Sequence, residues 1–221
     1  MVKLDLRKEL KYLYLLPPKK VAVVNVPSFQ FLMIDGEIEL GQGPSTSPRF
    51  QENMQALYGA AYTLKFMVKL RKKKPVDYPV MALEGLWWVQ NGTFDIRRPG
   101  NWKYTVMVLQ PDLITPSLFE EALAQLRKKR GDQPAFSRLR LKRFHEGLCA
   151  QTMHIGPYSD EPASVQRMQT FLEENGYRDQ VGRGGKHHEI YLGDPRRADP
   201  AKLKTVLRHA IAKVRRSRAA L

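Results

Sequence analysis

One plan of apolar segments and breakers occurs twice along this chain, and that recurrence restricts the fold more than any other feature. In the first half Lys20–Asn25 (KVAVVN) and Phe29–Ile34 (FQFLMI) read as strands around a turn at Val26-Pro27-Ser28. Gly36 and Gly41–Pro44 break the pattern. Ser47 caps a helix that starts at Pro48 and runs to about Arg71, with Phe50, Met54, Leu57, Ala61, Leu64 and Val68 at helical spacing. Strands follow near 79–89 and 102–110, separated by a turn with Asn91-Gly92 and Arg98-Pro99-Gly100, and Thr115-Pro116 opens a second helix. After Gly131–Pro134 the series restarts. Strands Leu139–Phe144 and Leu148–Ile155 flank a turn at His145-Glu146-Gly147. Gly156-Pro157 breaks them, a helix runs from about Pro162 to Glu174, and the loop Tyr177–Gly185 leads to a strand at His188–Leu192. Asp199-Pro200 then caps an expected last helix carrying Leu203, Val206, Leu207, Ala210 and Val214.

The halves align at Gly36 with Gly156, Gln110-Pro111 with Asp194-Pro195, and Thr115-Pro116 with Asp199-Pro200. The expected architecture is α+β: one domain over residues 1–221, with repeat units at about 19–131 and 135–216 and an N-terminal helical extension at 1–18. Two such units, helices on one sheet face, leave a pseudo-twofold cleft between them, a common place for a ligand.

Each half carries one carboxylate inside an aromatic run: Glu84 in Tyr78–Trp88 (YPVMALEGLWW) and Glu189 in Lys186–Pro195 (KHHEIYLGDP). On a half-exposed strand such an acid simply faces water. Lining an apolar cavity, it would attract cations or exchange protons. Gly85 suggests a bulge that leaves the direction of Glu84 open. Trp87 and Trp88 are adjacent, so only one can face a shared cavity, while Trp102 and Tyr104 share a strand face. Tyr58 and Tyr62, four apart on a helix, also share a face and either close the cleft or pack.

Other chemistries find little support. His187 and His188 diverge on a strand and lack a third ligand at metal spacing. Gly182–Gly185 (GRGG) has no Lys-Ser/Thr ending and is read as a loop, and no nucleophile elbow marks a Ser-His-Asp site. The single cysteine, Cys149, forbids an internal disulfide and fits a reducing cytoplasm. No apolar stretch is long enough to span a bilayer. The net charge of +15, from 37 basic and 22 acidic residues, is of a size found in nucleic-acid binders. Its densest runs, Lys69–Lys74, Arg127–Arg130 and Arg215–Arg218, fall near expected helix ends, where basic residues also complement the helix dipole. With no nucleic-acid motif beside them, that partner is not favoured.

Together LMIDGE (32–37), LYGAAYTLK (57–65), LEGLWW (83–88), HIGPYSDEP (154–162) and HHEIYLGDPRR (187–197) resemble the GyrI-like small-molecule-binding family over nearly the whole chain. The resemblance implies duplicated strand–helix–strand–strand units around a central aromatic cleft, with a buried glutamate on a late strand, here Glu189, engaging cationic ligands. It includes drug-sensing effector domains, a gyrase inhibitor, and stand-alone enzymes that hydrolyse the cyclopropane ring of DNA-alkylating natural products. LEGLWW resembles that last branch. The expectation is therefore a hydrolase without cofactor or metal, with Glu189 or Glu84 as base and Trp87, Trp88, Trp102, Tyr104, Tyr58, Tyr62, Tyr158, His188 and Tyr191 around the ligand. The alternatives are a non-catalytic drug-sequestering or sensing module and, less favoured, a DNA- or gyrase-associated protein.

Overall fold

The computed structural model describes residues 1–92, 94–98 and 100–214; Pro99 of the expected turn and the basic run Arg215–Arg218 lie outside them. A two-residue strand β1 (Val2–Lys3) and two short helices, α1 (Leu6–Glu9) and α2 (Lys11–Tyr14), come first. The expected N-terminal helical extension is thus two short helices that meet at Leu10. Then follow β2 (Val21–Glu37), α3 (Pro48–Leu70), β3 (Val76–Asp77), β4 (Leu83–Val89), β5 (Trp102–Gln110) and α4 (Pro116–Arg130). The second half supplies β6 (Arg140–Ile155), α5 (Glu161–Glu174), β7 (Tyr177–Asp179), β8 (His187–Tyr191) and β9 (Lys204–Lys213).

Six strands close on themselves in the order β6-β2-β5-β4-β8-β9, with β9 returning to β6 and every pairing antiparallel. β7 adds to β9, and β1 pairs with β3 outside this barrel-like sheet. The expected hairpins at 20–34 and 139–155 are instead two long strands paired with each other, from Val21↔Thr152 to Met33↔Arg140. Pro27, which has no N–H to donate, and the left-handed Gly147 (φ 75°) bend the ladder without ending it. Signals that usually mark turns here curve a sheet that must close.

The last expected helix is also a strand. Asp199 accepts from the Ala201 N–H and holds only a 3-10 turn, Pro200–Lys202, before β9 fills the gap between β8 and β6. Val206, Leu207 and Arg208 are all buried, so β9 is covered on both faces and shows no alternation. Two alignment anchors change meaning accordingly. Gln110-Pro111 ends β5 and leads to α4 whereas Asp194-Pro195 lies between β8 and β9, and Thr115-Pro116 opens a helix whereas Asp199-Pro200 opens the 3-10 turn.

Helix α3 lies on the outside of the ring, since a helix about 10 Å wide cannot enter six strands. Its Phe50 packs edge-on to Tyr104 at 4.9 Å, and its Asn53 donates to the Tyr104 hydroxyl at 2.9 Å. The strand carrying Gly36 must pass beneath that ring: a Cβ there would stand 2.2 Å from the Tyr104 hydroxyl. Of the basic runs, Lys69 sits in the last turn of α3 paired with Asp77 at 2.7 Å, and Arg127–Arg130 forms the last turn of α4.

Candidate active site

The ladder registers decide which side chains share a face. Gly85 pairs with Glu189, Trp87 with His187, and Leu83 with Tyr191 across β4–β8, while Trp87 pairs with Tyr104 and Val89 with Trp102 across β4–β5. These residues lie on the outer face with α3. Glu84, Leu86 and Trp88 alternate with them and face inward, as do His188 and its β9 partner Arg208.

On the outer face a cleft of about 1900 Å³ runs over β4 and β8 beside α3. Trp87 forms its centre. It stacks on Phe50 at 5.8 Å and Phe94 at 6.3 Å, and meets Trp102 edge-on at 6.1 Å. Its indole N–H donates to the Tyr191 hydroxyl at 3.0 Å, and Tyr191 in turn meets Tyr158 edge-on at 5.8 Å. Tyr58, Tyr62 and Phe66, at successive steps of four on α3, form the opposite wall. Gly85 is not a bulge, because the ladder runs through it unbroken. A Cβ there would come within 2.8 Å of Trp87 Nε1 and 3.2 Å of the Tyr191 hydroxyl, so the glycine is the space in which that hydrogen bond forms.

Glu189 lines this cleft and is only 4% exposed. His187 Nε2 lies 3.3 Å from its Oε1 and 3.6 Å from Oε2 of Glu161, the first residue of α5. Burial alone would lower the His187 imidazole; its contacts with Glu161 and Glu189 outweigh this and raise it to about 9. Burial, then the charge of Glu189, pushes the Glu161 carboxyl up to about 8. Neither Glu161 oxygen nor His187 Nε2 has a hydrogen-bond partner, so both His187 contacts are ion-pair approaches without hydrogen-bond geometry. Burial and then Glu189 also lift the Tyr191 hydroxyl well above its usual range.

Glu161, His187 and Glu189 each bring one carboxylate or imidazole atom within 4.8 Å of the others, the one such trio among the described residues. An imidazolium between two acids produces the same spacing, and the raised His187 fits that arrangement. The trio is therefore read as a proton-holding cluster.

Glu84 and His188, expected at the ligand, lie elsewhere. Tyr14 donates to Glu84 Oε1 at 2.7 Å, and His188 Nε2 stands 3.1 Å from Oε2. His188 Nδ1 stands 2.9 Å from Glu146, which also takes Arg208 Nη1 at 3.3 Å. Arg208 continues to Gln151 and to the Leu13 carbonyl. Two acids thus meet two bases inside the barrel, under a plug made by α2. Burial would lower His188, but Glu146 and then Glu84 raise it; burial would raise Glu146, but His188 and Arg208 lower it. Trp88 is on this inner face too, beneath Lys186 Nζ at 3.4 Å from its ring centre. Tyr104 is fully buried behind Trp87 and does not line the cleft.

Trp87, Trp102, Tyr58, Tyr62, Tyr158, Tyr191 and Glu189 are therefore gathered around one cleft, whereas Glu84, His188, Trp88 and Tyr104 are not. Sequence reasoning missed Glu161 and Phe94, and weighed His187 only as a metal ligand without a third partner, which the fold supplies in Glu161 and Glu189. Glu161 has the form of an ordinary helix-starting acid before Pro162, and only the fold places it against β8.

A family model described as a GyrI-like small molecule binding domain matches residues 19–210. An uncharacterized conserved protein from Listeria innocua is 41% identical with a TM-score of 0.84, and the match covers 94% of this chain and 99% of that one. A protein described as a hydrolase from the same organism is 39% identical with a TM-score of 0.80, over 94% and 99% of the two chains. The C-terminal domain of EcmrR, 10% identical with a TM-score of 0.52 over 88% and 98%, shares the fold alone. No curated protein matches. No helix among the described residues is long and apolar enough to cross a membrane. The chain belongs to the GyrI-like small-molecule-binding domain family.

Proposed function

We propose that the aromatic cleft binds flat, apolar small molecules and that Glu189 activates water to open a strained ring, a cyclopropane in a DNA-alkylating xenobiotic being the substrate class. The observation that carries this is Glu189 itself, nearly buried beneath Trp87, Tyr158 and Tyr191 and backed by His187. Rings on both walls stack a planar scaffold. Water held by Glu189 gives up its proton as its oxygen bonds the ring carbon. The strained C–C bond breaks, its electron pair passes to the conjugated acceptor, and the proton returns there. Two Listeria proteins described as hydrolases, 39% and 40% identical, support an enzyme.

The rim favours neutral over cationic ligands. In the lining Arg7, Arg71, Lys129, Arg130, Arg196 and Arg197 outnumber Glu121 and Asp194, and their field opposes the entry of a cation despite Glu189. Strand, helix, strand, strand occurs in that order in both halves, each with one further short strand after the helix (β3 and β7), which supports reading two repeat units. The buried free Cys149 fits a cytoplasmic location.

Incubation of the purified protein with a neutral cyclopropane-bearing alkylator, followed by mass spectrometry, tests the reading. A hydrated product above a heat-killed control is expected. Saturable binding without consumption of the compound would instead establish the sequestering module.

A further inference from the structure

Behind Glu189 the buried polar groups continue in a line. His187 Nδ1 lies 2.8 Å from His209 Nε2, and His209 Nδ1 lies 2.6 Å from Asp179 Oδ2. Asp179 and His209 line a second groove, of about 1330 Å³, which also reaches Glu161 and His187. The line therefore runs from the cleft to this groove, and Phe94 and Ile96 line both. His187 is surrounded by Glu189 and Tyr191 of its own strand, Glu161 of α5, His209 of β9 with Asp179 of β7 beyond it, and the ring of Phe94 stacked at 5.2 Å.

The hydrogen positions follow from the ends inward. Burial would raise the Asp179 carboxyl, but His209 and the Val181 N–H outweigh it and keep it low, so Asp179 accepts. His209 Nδ1 must then carry the hydrogen. Burial, helped by the neighbouring His187 charge, outweighs the hydrogen bond to Asp179 and holds His209 below its usual value, so its Nε2 is bare and accepts. His187 Nδ1 is left as the donor, and its second hydrogen is on Nε2, which stands 3.3 Å from Glu189 and 3.6 Å from Glu161 without a hydrogen bond to either.

We propose that Asp179 and His209 are positioning residues for the chemistry of the cleft: through two consecutive hydrogen bonds they fix the His187 ring so that its Nε2 edge stands beside both Glu189 and Glu161. The logic is that of an acid orienting a histidine, extended by one imidazole. His187 keeps its protons during the reaction, and the proton Glu189 takes from water returns to the substrate, so none need travel along the line. The kinetic part of this proposal rests on the hydrolytic reading; its geometric part does not.

The test uses the full chain. Long-range nitrogen–proton NMR on the imidazoles of the wild type, without ligand at pH 7, should show both His187 nitrogens protonated and only Nδ1 of His209. Any other tautomer set overturns the proposal, and no variant is needed for that arm. In Asp179→Asn, checked for folding by thermal melting, His187 should lose its charge at lower pH than in the wild type. kcat for a neutral cyclopropane substrate should fall roughly tenfold or more with KM unchanged, as a misplaced group slows chemistry without weakening binding. Asp179→Glu should recover part of kcat. An identical His187 titration in wild type and Asp179→Asn, or a change in KM alone, overturns the assignment. So does one-to-one Zn²⁺ binding that is lost in Glu161→Gln, since a metal would then occupy Nε2. Absence of wild-type turnover removes the hydrolytic reading and leaves the imidazole spectra to decide this one.

Discussion

Glu84 and Glu189 stand one register step apart on neighbouring antiparallel strands and point to opposite faces of the sheet. Glu189 looks outward into the aromatic cleft, while Glu84 looks inward to Tyr14 and His188. The same residue type in the same kind of run thus has two fates, set by strand parity.

Replacing each with glutamine separates those fates. Glu189→Gln keeps the shape and removes the titratable carboxylate, so binding of a neutral planar compound should persist while turnover falls by roughly 10²–10⁴. Glu84→Gln breaks a buried charge network and should cost stability, about 3–5 kcal/mol, with ligand affinity unchanged. Denaturant titration, calorimetric binding and turnover on both variants check this. Unchanged turnover in Glu189→Gln would remove it as the base.

Gly85→Ala tests the cleft floor at the scale of one methyl group. The added carbon would lie 2.8 Å from Trp87 Nε1, so the Trp87–Tyr191 hydrogen bond must open. A stability loss of about 1–3 kcal/mol from overpacking is expected, together with weaker ligand binding. Near-ultraviolet circular dichroism and ligand titration read the two effects. Wild-type spectra and affinity in the variant would show that the floor has slack where none is seen.

Stability should depend on pH through groups that bind extra protons in the folded state. Glu161 is raised from 4.5 to about 8 and His187 from 6.5 to about 9, so both hold protons that the unfolded chain releases at lower pH. Unfolding free energy therefore falls as pH rises, from about 4.5 to 8 through Glu161 and from about 6.5 to 9 through His187. His188 is raised as well and adds to the same alkaline loss. Melting temperatures across this range should decline, and Glu161→Gln should flatten the decline between about 4.5 and 8. A melting temperature that rises over this interval would contradict the buried cluster.

Much of the cleft was legible because strand parity is carried by sequence spacing. Alternation alone put Trp87 and Trp88 on opposite faces and Trp102 and Tyr104 on one face, but it did not show that Trp87 would cover Tyr104. What sequence did not carry is which strands become neighbours. Read as a helix, the segment from Lys204 to Lys213 put Arg208 and His209 on no particular partner. As β9 it brings Arg208 to Glu146 and His209 to His187. The signal lay in Thr205-Val206-Leu207, a β-branched start after a proline turn, and tertiary closure rather than local propensity decided it. Pro27 and Gly147 misled for the converse reason, since a barrel needs bends inside its strands.

The matched family region begins at residue 19, yet the barrel interior is completed by residues before it. Tyr14 donates to Glu84, the Leu13 carbonyl accepts from Arg208 at 2.8 Å, and the Tyr12 carbonyl accepts from Gln151 at 2.9 Å. Leu13 and Tyr14 are themselves buried in the main core. Deleting residues 1–18 would strip partners from three buried polar side chains and open a route for water into the barrel. Each lost partner costs about 1–3 kcal/mol, more for a charged group, and typical domain stability is about 5–15 kcal/mol. The truncated chain should therefore be unfolded or molten, with a lost or broadened calorimetric transition and dispersed amide resonances collapsed. Tyr14→Phe removes only the hydroxyl and should leave the fold intact at a cost of about 1–3 kcal/mol. A truncated chain that melts cooperatively at the wild-type temperature would show that the interior network stands without its plug.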